Sequence, residues 1–138
     1  MALAVLSATR PHVFSHNLET VRRLTPLIRS NADYDRSLAV LRFGAKKGLI
    51  IKSSIMLGMG ESHDEIITAL ADLREAGVTR VAMGQYLQPS KAHLDVVEYL
   101  SLQRFDDLRD VAIKMGFTHV ESGSLVRSSY HAERGDEQ

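Results

Sequence analysis

Gly48-Leu-Ile-Ile-Lys-Ser-Ser-Ile-Met-Leu-Gly-Met-Gly-Glu-Ser-His-Asp-Glu65 carries the reading on which the fold turns. Residues 49–57 form a nearly continuous apolar run, interrupted only at its centre by Lys52, Ser53 and Ser54, and read as a strand. Ser62 and Glu65 have the spacing of a capping box, so a helix starts there. That helix places Ile66, Leu70 and Leu73 on one face and stops at Gly77, and residues 79–83 give a further strand. The order is strand, helix, strand.

The same alternation extends in both directions. Upstream, residues 12–18 read as a strand ending in polar residues. Thr20 follows as the cap of a short helix carrying Val21, Leu24, Leu27 and Ile28, with Pro26 limiting its regularity. Asp33 opens a better helix, in which Leu38, Leu41 and Ala45 fall at helical spacing before Gly48. Downstream, residues 84–90 form a loop. A helix over 102–115 then stripes Phe105, Leu108, Ala112 and Met115 and stops at Gly116, and 117–121 is a last short strand. The apolar start, residues 1–9, reads as the end of a helix that began before residue 1.

Alternating strands and helices of these lengths predict an α/β fold with a parallel sheet and outer helices. A closed eight-stranded barrel needs about 250 residues. This chain has 138 and offers three or four strands, which makes about half a barrel. The rival, a doubly wound sheet, lacks its Gly-x-Gly-x-x-Gly turn after the first strand.

Charge and composition exclude more than they assign. Seventeen basic and seventeen acidic residues cancel, which removes the electrostatic case for nucleic acid or an acidic membrane as partner. No stretch is long and apolar enough for a membrane span, and the apolar start lacks the basic region of a signal peptide, so a soluble cytoplasmic protein is expected. The chain has no cysteine, which excludes disulfides and any thiolate-held metal supplied by this chain alone.

In a barrel the chemistry sits beyond the C-terminal ends of the strands. His16, Asn17 and Glu19 follow the first strand, Gly58, Gly60 and Glu61 the second, and Gln85 and Gln88 the third. Lys52, Ser53 and Ser54 inside an apolar strand are costly unless they line a cavity or find partners. Taken singly, a loop Asn or Glu is most often a cap or a solvated side chain. The convergence on one rim is the informative pattern. The Gly-Met-Gly-Glu run at 58–61 leads into a helix N-terminus, where backbone N–H groups can hold a carboxylate or a ligand oxygen. His12 and His16 lack a third ligand at metal spacing, and no serine has a nucleophile-elbow context.

Five segments, in order, resemble the lipoyl synthases. They are Val13-Phe-Ser-His-Asn-Leu-Glu-Thr20, Ala32-Asp-Tyr-Asp-Arg-Ser-Leu38, Lys52-Ser-Ser-Ile-Met-Leu-Gly-Met-Gly-Glu61, Gly84-Gln-Tyr-Leu-Gln-Pro-Ser90 and Ser122-Gly-Ser-Leu-Val-Arg-Ser-Ser-Tyr-His-Ala132. Ser15 stands where the family usually has Asn, and Ser124 where it usually has Pro. The resemblance implies a partial (β/α) barrel of the radical S-adenosylmethionine type, with residues 1–138 as its C-terminal half, ending in the Arg-Ser-Ser-Tyr segment. It further implies that Asn17 and Glu19 contact S-adenosylmethionine, that Ser54, Met56, Gly58 and Glu61 lie beside its adenosyl group, and that Lys52 and Gln85 face the same cavity. Ser129 would be the oxygen ligand of the auxiliary iron–sulfur cluster, with Ser128 the alternative and Arg127 beside it. An alkoxide is a harder, weaker ligand to iron than a thiolate, and so can be released when that cluster is consumed.

The implied reaction is a radical sulfur transfer that inserts two sulfur atoms at carbons six and eight of an octanoyl chain. That chain is carried on the lysine of a lipoyl carrier domain or H protein, and the cofactors are S-adenosylmethionine and two 4Fe–4S clusters. The family's two cysteine triplets are missing here, so the isolated chain is expected to be inactive and to need a cysteine-bearing N-terminal half. A break inside the barrel favours a fragment. Two further expectations are a non-catalytic half-barrel that binds an adenosyl ligand or docks on a subunit, and a piece whose open strand edges prevent productive folding alone.

Overall fold

The computed structural model describes residues 12–28 and 33–126. The reading of 1–9 as a helix end, and the Arg127, Ser128 and Ser129 assignments, lie outside them. Four strands, β1 (Val13–Ser15), β2 (Ile50–Leu57), β3 (Arg80–Gln85) and β4 (His119–Gly123), form one parallel sheet in the order β1-β2-β3-β4. Helices α1 (Thr25–Ile28), α2 (Tyr34–Lys46), α3 (His63–Glu75) and α4 (Leu102–Lys114) connect them, with a 3-10 turn at Arg22–Leu24 leading into α1.

Sequential strand order separates the half-barrel from its rival. Right-handed crossovers that always step the same way leave every helix on one face, whereas a doubly wound sheet must reverse direction. The core obeys this. Leu38 and Leu41 of α2, Ile66, Leu70 and Leu73 of α3, and Phe105, Leu108 and Ala112 of α4 pack with Ile51, Ile55, Leu57, Val81 and Met83 in one buried cluster. The strand positions in that cluster alternate along each strand, so the intervening residues face the other, inner side.

The helix boundaries follow the caps. Asp33 accepts from the Arg36 amide, and Ser62 and Glu65 make both bonds of the capping box. Gly48, Gly77 and Gly116 end α2, α3 and α4 in the left-handed region, where glycine carries no steric penalty. Four expectations need correction. Thr20 caps nothing: Val21 takes the N-cap position with no side-chain bond, and the Thr20 hydroxyl is buried without a partner. Leu27 is exposed rather than packed. Regular pairing of β1 ends at Ser15, short of residue 18. β3 runs on through Gly84 and Gln85, which had been read as loop.

Candidate functional site

The inner face is set by register, because partners in a parallel pair point the same way. Lys52, Arg80 and His119 form one row, Ser54, Ala82 and Glu121 the next, and Met56, Gly84 and Gly123 the row nearest the C-terminal rim. Two of the three central polar residues of β2 therefore face inward. Ser53 faces the helices, and its hydroxyl accepts from the Leu18 amide at 3.0 Å, which accounts for a fully buried serine in an apolar strand. Lys52 leans across to Glu121 at 3.5 Å. Beside it Arg80, a residue the sequence did not single out, has a buried Nε without a partner. In the rows above, Ser54 and Ala82 are buried and Met56 is half-buried.

The rim begins with a bulge. Ser15 pairs with Lys52 and Glu19 bridges Ile55, so β1 carries one residue more than β2 over that interval. The Glu19 amide donates to Ser54 O at 3.0 Å, and the Met56 amide donates to Glu19 O at 2.8 Å. Glu19 is held at φ 78, the left-handed region that a side chain disfavours, and no other non-glycine described residue has positive φ. The bulge brings the Glu19 backbone against Ser54 and Met56, and Asn17 and Glu19 are both half-buried.

At the rim, Glu61 and Gln85 bind the backbone of the surrounding loops. Buried Glu61 turns back on its own loop and accepts from the Gly58 amide at 2.9 Å and the Met59 amide at 3.1 Å. The Gln85 amide group donates to Tyr86 O and Glu98 O and accepts from the Leu100 amide at 3.0 Å. Gly58 O in turn accepts from the Val97 and Glu98 amides. Gly58, at φ 106, has no room for a side chain, since a Cβ would strike Gln85 Nε2 and Glu98 O. The loops after β2 and β3 are thus one hydrogen-bonded unit. Arg23 ties it to the segment after β1, donating to Gly60 O at 2.9 Å and pairing with both oxygens of Glu65. Arg23, Glu98 and Leu100 had no signature in the sequence, because their role depends on partners brought together by the fold.

Among the described residues no group of three or more His, Cys, Asp or Glu could hold a metal ion. His12 is exposed and His16 contacts Ser37 Oγ at 3.3 Å. No helix of the described residues is long and apolar enough to cross a membrane.

Comparison with known proteins gives the following likenesses. No family model matches the chain. Lipoyl synthase of Flavobacterium psychrophilum is 55% identical over 128 residues, covering 92% of this chain and 44% of that protein. The mitochondrial lipoyl synthase of Nematostella vectensis is 54% identical over 125 residues, covering 90% and 43%. Lipoyl synthase of Geobacillus kaustophilus is 50% identical over 133 residues, covering 95% and 45%. The chain therefore spans less than half the length of the curated relatives it matches. Among solved structures, Streptococcus suis SuiB superposes with a TM-score of 0.61 at 14% identity, over 81% of this chain and 26% of that one, a likeness of fold alone.

Proposed function

The chain belongs to the lipoyl synthase family, as the part of it that corresponds to the C-terminal half, and from that premise we propose that it supplies one wall of a radical S-adenosylmethionine sulfur-insertion site. The observation that carries this reading is the strained bulge. Backbone strain of this kind is kept where surrounding structure over-determines it, commonly at ligand sites. Here it coincides with Asn17 and Glu19, the residues that the family resemblance assigns to S-adenosylmethionine.

In this reading Asn17 and Glu19 orient the ligand's polar end, and Ser54 and Met56 lie beside its adenosyl group. Lys52 contributes positive charge to the floor. Glu61, Gly58 and Gln85 act through the backbone, holding the rim loops at fixed height. The described residues suit such a ligand in being small, polar and rigidly backed. They do not suit an iron–sulfur cluster: the chain has no cysteine, so no step is assigned to a cluster held by this chain alone. When bound, the two clusters would supply the reducing electron and the sulfur. The chain's own contribution is positioning and the exclusion of water.

The proposal extends to partners. A cysteine-bearing N-terminal half, on the same polypeptide or another, completes the barrel, and an octanoylated lipoyl carrier domain or H protein is the substrate. Ser129, or else Ser128, is the oxygen ligand to the auxiliary cluster, with Arg127 beside it. A direct test is to combine the chain with the cysteine-bearing half of a lipoyl synthase relative, load iron and sulfide anaerobically, and record Mössbauer spectra. Ser129→Ala is expected to alter the signature of one iron site of the auxiliary cluster and leave the other cluster unchanged. Spectra identical with and without Ser128 and Ser129 would refute the ligand assignment.

A further inference from the structure

Gly84 and Gly123 are neighbours in the rim-side row of the inner face, and the chain leaving β4 treats them differently. Beyond Gly123 it turns, with the Val126 amide donating to Gly123 O at 3.3 Å, and passes back over β3. A Cβ built on Gly84 would collide with Val126 O and lie 3.3 Å from Val126 C. These are backbone atoms, which cannot rotate away. A Cβ on Gly123 would meet only Val126 Cγ2, at 3.7 Å, an ordinary contact. Neither glycine has a positive φ, so conformational freedom is not what requires glycine at Gly84. What requires it is another backbone lying on the strand.

We infer that Gly84 is the positioning residue for the C-terminal segment. Its bare face seats the backbone of Val126 on the sheet and so fixes the residue that precedes Arg127 in the chain. The functional consequence rests on the reading above; the seat itself does not. The seat lies beside Met56 in the same row.

The test uses the full 138-residue chain, isotope-labelled for NMR. Gly84→Ala is expected to shift the amide signals of Val126 and the residues after it, while Gly123→Ala leaves those signals close to their original positions. Equal shifts in both variants, or none in Gly84→Ala, would overturn the inference. A second measurement leaves Gly84 intact, in case Gly84→Ala fails to fold. A nitroxide on Val126→Cys, the sole cysteine of that variant, should broaden the amides of Met56 and Gly84. Sharp signals there would also overturn it. In the chain paired with a cysteine-bearing half, Gly84→Ala should lower turnover about 100-fold, the scale of an ångström-sized misplacement, with the carrier KM unchanged. If the unsubstituted pair were itself inactive, the proposed function would fail while the NMR contrast still decided the role of Gly84.

Discussion

Replacing Gly58 with alanine puts two costs on one residue. An L side chain in the left-handed region costs about 1–2 kcal/mol, and the new Cβ meets Gln85 Nε2 and Glu98 O. A loss of about 3 kcal/mol is expected in chemical denaturation, placing it among the more severe single substitutions. Glu61→Gln keeps the shape but loses the charge that receives two buried amides, and a cost of about 1–3 kcal/mol is expected. Both variants should also loosen residues 96–100, seen as faster amide hydrogen exchange, because Gly58 O anchors Val97 and Glu98. Protection unchanged in both would mean that the rim loops are independent. Glu65 gives a pH signature. Its hydrogen bonds from Arg23 and then from the Ser62 amide hold its pKa down at about 2, against an ordinary 4.5. A depressed carboxylate stabilises the fold fully above 4.5, and that contribution is lost as pH falls from 4.5 through 2. Thermal unfolding of Glu65→Gln should therefore show a shallower loss of Tm across that acid range than the parent; parallel curves would contradict it.

At the scale of elements, α2 and α3 are joined by a bond that can be removed cleanly. The Tyr34 hydroxyl donates to Asp72 Oδ2 at 2.7 Å from a buried ring, and burial, followed by that carboxylate, pushes its pKa above the ordinary 10. Tyr34→Phe is expected to cost about 1.5 kcal/mol at neutral pH. Because the folded pKa is raised, the parent's advantage is complete below pH 10 and declines above it, so denaturation curves of the two proteins should converge at alkaline pH. Elements were the most legible part of the sequence, since their signals are local. The Ser62–Glu65 box, the Asp33 cap and the apolar stripes on α2, α3 and α4 all lie within a few residues of what they govern. Thr20 misled because a β-hydroxyl before an apolar run looks like a cap, yet its side chain turned into the core. The end of β3 was misread for a related reason: Gly84 and Gln85 resemble a turn, but pairing with β2 and β4 decides that they are strand. The candidate site was legible as a list of positions and not as a division of labour. Gln85 was expected to face the cavity and Glu61 to lie beside the adenosyl group, while the bonds of Glu61 to loop amides and of Gln85 to residues 13 and 15 positions away arise only from folding.

For the whole molecule, the described strands run from β1 at one edge of the sheet to β4 at the other, and Lys52, Arg80 and His119 form a basic row on its inner face. Relatives that match over this chain are more than twice as long. The absence of cysteine makes any cluster chemistry depend on ligands that this chain does not supply. The chain alone is accordingly expected to give no product under any loading of iron and sulfide. The measurement that tests this account most directly is lipoylation of an octanoylated carrier peptide by mass spectrometry, after anaerobic reconstitution of the chain with a cysteine-bearing N-terminal half. The account expects doubly sulfur-inserted peptide only when both parts are present. Loaded clusters and cleaved S-adenosylmethionine with no sulfur inserted would contradict it.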